Sequence, residues 1–481
     1  MNSPKAIVMA LSTAFLCCSL VQGAATEYPS RLPADVGKYE PGETIDIHKG
    51  LSDREWPQLG NTPQRTNYSP VEAEPPYRIR WQVKFPDFDP VGTTYAATQA
   101  IMADGRVYVG CKSGILYAFD ARDGEMKWKF ESGGAILHTA GYARGKVFFA
   151  AMDGRVYALD AANGKEAWVF DNGRRYGFST AVLLAEDQIF MADRGGYLYA
   201  LDQADGKKLW HYDATAPVLH STAYNDGRVY FASEDMRVHA VKAADGSRLW
   251  RSEQLAGMSF MDFWPVVTGG KVIVRSMMSW GSRLGDYKDP MGRSMFVLDE
   301  QTGEQVLPFQ HYPYGMHGPH PPPAVTRDGL LVVPWRVVEQ KQYFHETAKG
   351  DRGWALQDVK TQTMVAKFFH TGEPMAGVPE KLVPGIAATD ETLIASVIGD
   401  IAIVVHHHSF WTAGGGSQQY GAYHLTERRW HLCPLPSGWT RVHNTQGGGA
   451  NAISAADGLL YQIATGRWLV CYEPANKGGR K

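Results

Sequence analysis

The chain has 481 residues, with 48 Lys and Arg against 50 Asp and Glu, so its formal net charge is -2. This near-neutral balance gives no reason to expect nucleic acid or an anionic membrane as a partner, and 44% hydrophobic against 20% charged residues exclude a disordered chain. The 51 Gly, 14 Trp and 23 Tyr indicate many short strands joined by tight turns, and hence an all-β protein.

Residues 1–23 have the pattern of a signal peptide. Lys5 supplies a positive charge, residues 6–20 form an apolar run, and small residues around Gly23 offer a cleavage site. An apolar run of this length is short for a membrane span of about 20 residues. We therefore expect export to the periplasm or the cell exterior, and no transmembrane segment in the mature chain.

The cysteines do not form the set that a disulfide scaffold needs. Cleavage of the leader removes Cys17 and Cys18 and leaves Cys111, Cys433 and Cys471, an odd and sparse set. A bridge between Cys433 and Cys471 is compatible with the sequence, but the spacing does not establish it. Stability is therefore expected to come from a packed core.

A repeat begins after residues 24–55, which have no hydrophobic periodicity and are predicted to be an extended lead-in. Each copy contains short alternating apolar strands, an Asp-Gly or Asn-Gly turn, and a closing tryptophan. In the first four copies the closing residues are Trp128, Trp168, Trp210 and Trp250. Four degenerate copies follow, around 296–303, 354–362, 422–430 and 458–472.

The repeat predicts a β-propeller. A meander of four antiparallel strands cannot bury both faces alone, so neighbouring units must stack, and closing the ring removes free edges. The predicted fold has eight blades, with seven as the alternative. Residues 77–83 are similar to a closing strand, so the N- and C-terminal strands are expected to share the last blade. One propeller domain is predicted over 56–475, followed by a mobile tail over 476–481.

The motif from Ala158 to Gly164, with Trp168 after it, resembles the pyrroloquinoline-quinone-like (PQQ-like) propeller repeats. The segment Trp56 to Asn61 is also similar to the one that opens many exported members of that family. The resemblance implies that the four repeat tryptophans pack between blades.

The family that the chain resembles has two branches, quinone-dependent dehydrogenases and non-catalytic members such as an outer-membrane assembly lipoprotein. The dehydrogenases typically carry an adjacent Cys-Cys disulfide, a calcium ion ligated partly by Glu and Asn, and an Asp base. The adjacent pair here, Cys17 and Cys18, lies in the leader. The resemblance therefore points to the non-catalytic branch, with PQQ and calcium disfavoured. The assembly role itself is also disfavoured, because no lipobox is visible.

Long segments in blades five to seven mark the predicted site. Insertions between the second and third strands and crossings between blades are expected at one face, because successive strands alternate in direction. The insertions run over about 277–293, 336–352 and 407–419, and the crossings over about 308–322, 367–390 and 434–450. Their aromatic, Arg and His side chains suit a protein partner or a carbohydrate. The candidate ligand-binding residues are Trp280, Arg283, Tyr287, His317, His320, Arg336, His345, His406, His408, Trp411, Arg441 and His443.

Two further sets of side chains are candidates. His406 and His408 share one side of a strand and could bind a metal with His320 or His345, although a hydrogen-bonding wall is the preferred interpretation. Equivalent positions before the innermost strands predict a polar ring around the axis, either hydrated and structural or the floor beneath a ligand. The predicted ring consists of Thr98, His138, Thr180, His220 and Asn451.

The sequence thus favours an exported, monomeric binding or scaffold protein that holds a ligand or partner over blades five to seven. The alternative is a polysaccharide lyase or hydrolase that uses His, Tyr and Arg on the same face, an argument by fold analogy. A quinone-dependent dehydrogenase is the second alternative.

Overall fold

The computed structural model describes residues 47–85, 98–276, 295–306, 322–336, 352–361, 364–368, 386–387, 394–408, 418–434, 453–464 and 468–476, without Lys49 and Asp262. All 33 named elements in these ranges are strands. No helix there is both long and apolar enough to cross a membrane. The predicted leader, the part of the lead-in before Ile47 and most of the predicted tail lie outside the described residues.

Blades one to four are regular four-stranded antiparallel sheets, numbered from the axis outward. Two strands precede them, β1 (Tyr68–Ser69) and β2 (Tyr77–Lys84). Blade one contains β3 (Ile101–Ala103), β4 (Arg106–Gly110), β5 (Ile115–Asp120) and β6 (Met126–Glu131). Blade two contains β7 (Gly141–Ala143), β8 (Lys146–Ala150), β9 (Arg155–Asp160) and β10 (Glu166–Asp171). Blade three contains β11 (Leu183–Ala185), β12 (Gln188–Ala192), β13 (Tyr197–Asp202) and β14 (Lys208–Asp213). Blade four contains β15 (Ala223–Asn225), β16 (Arg228–Ser233), β17 (Arg237–Lys242) and β18 (Arg248–Arg251).

Blades five to eight complete the ring with less regular sheets. Blade five contains β19 (Val266–Thr268), β20 (Lys271–Arg275) and β21 (Met295–Asp299), with a Leu298–Gln305 bridge in place of a described fourth strand. Blade six contains β22 (Ala324–Val325), β23 (Leu331–Arg336), β24 (Arg352–Gln357) and β25 (Met364–Phe368). Blade seven contains β26 (Ile386–Ala387), β27 (Ser396–Ile398), β28 (Ile401–His408), β29 (Gln418–His424) and β30 (Arg429–Leu432), and β1 pairs with its inner strand. Blade eight contains β31 (Ser454–Ala456), β32 (Leu459–Ala464) and β33 (Trp468–Pro474).

The eighth blade closes the ring, as the sequence predicted, and the seven-bladed alternative is wrong. Strand β2 supplies its outermost strand and pairs antiparallel with β33, from Tyr77 opposite Pro474 to Lys84 opposite Trp468. Arg78 and Arg80 bind the carboxylate of Glu473 at 2.8 and 2.7 Å. Burial would raise the pKa of Glu473, but these hydrogen bonds outweigh burial and lower it. The two ends of the propeller are thus joined in one sheet.

The blades are stabilised by apolar surfaces that face each other around the ring. Inner and middle strands are buried on both sides because each blade is covered by a neighbour. One cluster joins Phe148 and Val156 of blade two to Val182, Ile189 and Met191 of blade three. The outermost strands alternate between exposed and half-buried residues, as in β10 and β14. This repeated burial explains the alternating pattern in the sequence.

Each repeat tryptophan contacts the turn of the next blade. The indole Nε1 of Trp168 donates to Gln203 O at 3.2 Å, and the ring lies over Gly206, which has a φ of 73°. A Cβ at Gly206 would lie 2.5 Å from Trp168 Cε3. The same hydrogen bond to the same turn position is made by Trp81, Trp128, Trp210 and Trp250. Glycine is therefore needed both for its backbone angle and for the space that the indole fills.

We predict that Gly206→Ala destabilises the protein more than Gly227→Ala does. Both glycines have a φ of 73°, but a Cβ at Gly227 would meet nothing within 4 Å. The left-handed backbone alone should cost about 1–2 kcal/mol in both variants, and displacing Trp168 should add about 1–3 kcal/mol in Gly206→Ala. Urea unfolding of both variants measures the difference, and equal losses would show that the indole contact is not tight.

Residues 53–69, here called the hub segment, run around the axis and hydrogen-bond to every blade in turn. An inner strand has one edge that faces the axis, and its buried N–H groups need acceptors. The hub segment supplies an acceptor to an N–H group of each blade, at 2.7–3.0 Å, from blade one to blade eight: Met102, Tyr142, Leu184, Tyr224, Val267, Val325, Val397 and Asp457. The segment thereby provides one hydrogen-bond acceptor to each of the eight blades.

Arg65 anchors the hub segment to blades three and four. Its side chain is fully buried, and its guanidinium donates to Leu59 O at 2.6 Å, Thr222 O at 2.8 Å and Val182 O at 3.1 Å. No carboxylate of the described residues pairs with it, and burial lowers the pKa of Arg65 to about 9. The group is still a cation at neutral pH, solvated by carbonyl oxygens in place of water.

Candidate functional site

The two faces of the propeller differ in the length of their connections. Inner strands begin at what we call the mouth face, where second strands also end and third strands begin. In blades one to four the second-to-third connections there are short turns over 111–114, 151–154, 193–196 and 234–236. In blades five to seven the corresponding strand ends are separated by 276–294, 337–351 and 409–417. The long connections thus all start and end at the mouth face, and they belong to three neighbouring blades.

Most predicted ligand-binding residues lie outside the described residues, in those connections or in the crossings between blades. They are Trp280, Arg283, Tyr287, His317, His320, His345, Trp411, Arg441 and His443. Arg336 ends β23, opposite Arg352. His406 and His408 lie near the end of β28, opposite Gln419 and Ile386 respectively. The backbone therefore places these three residues at the mouth face, and they stay predicted contacts.

Four predicted ring residues occupy equivalent positions. Thr98, His138, Thr180 and His220 each lie three residues before the inner strand of blades one to four, and all four are buried. Asn451 lies outside the described residues. The residues that follow the two histidines bind the preceding blade, since Gln99 N donates to Thr139 Oγ1 at 2.8 Å and Ala181 N donates to Ser221 Oγ at 2.9 Å.

The mouth of the axis contains a neutral imidazole. Burial, followed by the nearby His138, lowers the pKa of His220 to about 3. Its Nδ1 accepts from Ala232 N at 3.3 Å, so the ring proton resides on Nε2, which has no hydrogen-bond partner. The fully buried Trp264, close to His138 with ring centroids 6.1 Å apart, likewise has an indole N–H without a partner. These two N–H groups can donate to a water or to a ligand oxygen, but as donors they cannot ligate a cation.

Beneath the mouth, hub residues form a floor that the sequence analysis missed. Gln99 Oε1 accepts from Gly60 N at 2.7 Å, and its Nε2 donates to Asn67 Oδ1 at 2.9 Å. Gln58 Oε1 accepts from Leu184 N at 3.0 Å. The available signal was a run of amide, hydroxyl and Arg side chains without apolar alternation over 58–67, immediately before the first strand. Such a run implies bonds to backbone groups elsewhere.

The described cysteines are separate thiols. Cys111, Cys433 and Cys471 are buried and none of them is in a disulfide, so the bridge considered between Cys433 and Cys471 does not form. Burial raises the pKa of Cys433 and of Cys471 to about 12. Over the described ranges, no group of three or more His, Cys, Asp or Glu could hold a metal ion.

Sequence comparison identifies one family. A model described as outer membrane protein assembly factor BamB matches residues 78–185, 155–307 and 198–367, which together exceed half of the chain. No curated protein matches the chain.

Solved structures share the fold at low identity. BamB from Moraxella catarrhalis is 12% identical, with 83% of this chain and all of that chain covered and a TM-score of 0.50. Quinohemoprotein alcohol dehydrogenase from Comamonas testosteroni is 14% identical over 93% of this chain and 83% of that chain, with a TM-score of 0.55. A europium-containing methanol dehydrogenase is 13% identical over 88% and 98%, with a TM-score of 0.53. These similarities show the propeller architecture, which is common to both kinds of protein.

Proposed function

This chain belongs to the PQQ-like propeller family whose model is described as outer membrane protein assembly factor BamB, and we propose that it is an exported scaffold that binds a protein partner. The partner is held at the mouth face, over blades five to seven. Export is part of the proposal and is supported by the leader pattern in residues 1–23.

The unequal length of the mouth-face connections is the observation that carries this proposal. Three neighbouring blades add segments of nine to nineteen residues where blades one to four use turns of three or four. Stability of the ring does not need these segments, because blades one to four close with short turns. Long connections on a rigid scaffold commonly carry binding residues, and these contain aromatic and Arg side chains, which are enriched at protein interfaces.

Quinone chemistry is not part of the proposal. A calcium-held quinone requires oxygen ligands that include carboxylates, whereas the described ring offers hydroxyls and imidazoles at Thr98, His138, Thr180 and His220. The three described thiols belong to three different blades and form no adjacent pair. These four ring residues therefore do not supply the carboxylate ligands that calcium prefers.

Shortening one connection tests the proposal. We predict that replacing 337–351 with Asp-Arg-Gly-Gly, the turn of blade three, abolishes partner capture from a periplasmic extract while the protein remains folded. Quantitative cross-linking should show at least a tenfold loss of one defined adduct. The matched control replaces 193–196 with the turn from 151–154 and should keep that adduct. Equal capture by both variants would contradict the proposal.

A glycan array separates the carbohydrate alternative from the protein scaffold. The scaffold predicts no saturable glycan binding by the wild-type chain. Saturable binding that disappears when 337–351 is replaced would overturn the protein-partner assignment and favour the carbohydrate alternative.

A further inference from the structure

A cleft of about 440 Å³ lies on the face opposite the mouth, between the hub segment, the adjoining residues 47–51 and blades four and five. Apolar atoms of Ile47, Leu51, Pro63 and Val267 line one part of it, and Asn225 and Glu300 line another. The cleft is thus built from the ends of two inner strands and the residues that cross them, all within the described part of the chain.

Glu300 is a carboxylate at a turn position where blades one to four have alanine or glutamine. It directly follows the third strand of blade five, and its N–H donates to Gly270 O at 3.0 Å while its carbonyl accepts from Trp250 Nε1 at 3.0 Å. The same two backbone bonds are made in blades one to four by Ala121, Ala161, Gln203 and Ala243. The turn therefore forms without a carboxylate, so its backbone hydrogen bonds do not require Glu300.

A second departure from the repeat touches the same carboxylate. The last residue of the inner strand is Ala103, Ala143 and Ala185 in blades one to three, but Asn225 in blade four. Asn225 Nδ2 donates to Glu300 Oε1 at 2.7 Å, and Gln64 Nε2 donates to Asn225 Oδ1 at 3.2 Å. The hub segment and two blades thus orient the carboxylate through a chain of amides.

One oxygen of the Glu300 carboxylate remains unused. Tyr230 OH also donates to Oε1, at 3.0 Å, while Oε2 has no hydrogen-bond partner among the described residues. No described cation pairs with Glu300, and Lys271 of the same blade binds Asp299 at 2.8 Å. The residue is only 5% exposed, and its Oε2 keeps contact with solvent through the cleft that Glu300 lines, where a ligand can reach it.

We propose that this cleft binds a primary ammonium group on an alkyl stem. The ammonium head pairs with Glu300 Oε2, and the stem lies along the apolar wall formed by Leu51, Pro63 and Val267. An ammonium is a point charge that pairs with one oxygen, whereas a guanidinium is best bound by both oxygens of a carboxylate. Since Oε1 already accepts two hydrogen bonds, the geometry selects ammonium over guanidinium. The hydroxyls of Thr62 and Thr66 also line the cleft and supply further acceptors.

The ammonium can come from a lysine side chain of a polypeptide or from a free diamine. The site lies on the opposite face from the proposed partner surface, so this inference does not depend on the proposed function. If the ammonium cleft is disproved, the proposed partner surface still stands, and the reverse is also true.

Calorimetric titration of the full chain tests the proposal, at constant ionic strength, with Nα-acetyl-lysine N-methylamide, cadaverine and Nα-acetyl-arginine N-methylamide. We expect saturable binding of the first two, weakened at least about tenfold by Glu300→Gln and Glu300→Ala. Glu304→Gln, an exposed change of the same charge on the same blade, should leave binding within twofold. Glu300→Ala removes the acceptor of Asn225 Nδ2 and of Tyr230 OH and should lose stability, so Glu300→Gln, which keeps an oxygen acceptor there, is the variant on which the test rests.

The probes also distinguish the source of the ammonium. Tighter binding of the lysine derivative supports a polypeptide, and tighter binding of cadaverine supports a free diamine. The proposal is overturned by an arginine derivative that binds as tightly as either amine, by the absence of saturable amine binding, or by Glu300→Gln binding like wild type.

Discussion

Arg65→Ala is expected to lower the free energy of unfolding by about 3–5 kcal/mol. The substitution removes the donors of three buried carbonyl groups, those of Leu59, Val182 and Thr222. Each buried acceptor left without a partner costs about 1–3 kcal/mol. The loss should exceed that of any exposed substitution because Arg65 joins the hub segment to two blades, and the hub in turn covers the inner edges of all eight.

Arg155→Ala is the matched control for this prediction. Arg155 is an exposed arginine that pairs with Asp171 at 3.1 Å, and an exposed ion pair contributes about 0–1 kcal/mol. Urea unfolding should therefore separate the two variants by at least about 2 kcal/mol. Similar losses for both would show that the hub segment does not hold the ring together.

Acidification from pH 7 to pH 5 is expected to remove about 4 kcal/mol of stability through two buried histidines. Burial lowers the pKa of His220 to about 3 and of His239 to about 4, from an ordinary value of 6.5. Because the folded-state pKa lies below the unfolded value, the unfolded chain takes up the proton first as the pH falls. The contribution of each histidine to the free energy of unfolding is thus fully present above about pH 7. It decreases as the pH falls through 6.5 and is lower by about 2 kcal/mol per histidine at pH 5.

His220→Gln should halve this pH-dependent loss, whatever its effect on stability at pH 7. Carboxylates titrate alike in both proteins, so the difference between the two pH profiles isolates His220. His211→Gln is the control, because His211 is exposed and its removal should leave the loss unchanged. Urea unfolding at both pH values provides the measurement, and a wild-type loss in His220→Gln would refute the prediction.

The ring itself could be predicted from the sequence because its signals are local. Each blade is identified by a turn glycine, such as Gly206, and by a tryptophan at a fixed distance from it. The stacking of the blades follows from the need to bury both faces of each sheet. The degenerate copies in blades five to eight also retain enough alternation of apolar and polar residues to be counted as blades. The closing role of β2 was visible because Trp81 matches the closing tryptophan of a repeat, although 395 positions in the sequence separate Arg78 of β2 from its partner Glu473 in β33.

The hub segment and the cleft could not be predicted in the same way. Their contacts join residues far apart in the chain, such as Gln58 with Leu184 and Asn225 with Glu300. The sequence analysis noted the segment Trp56 to Asn61 but gave it no partner, since side-chain bonds to backbone carbonyls leave no periodicity. Glu300 escaped notice because a change from alanine within a degenerate repeat resembles ordinary drift. Only its shared environment with Asn225 makes it informative.

Site-specific photo-crosslinking in cells that make the protein tests the proposed function most directly. A photoreactive residue is placed at Tyr343, Trp411 or Trp439 in the mouth-face segments, and at Asn163 or Asp205 in turns of the opposite face. The proposal predicts that the first three positions cross-link to one common protein and that the last two do not. Cross-linking to that protein from the opposite face alone, or equally from both faces, would contradict it.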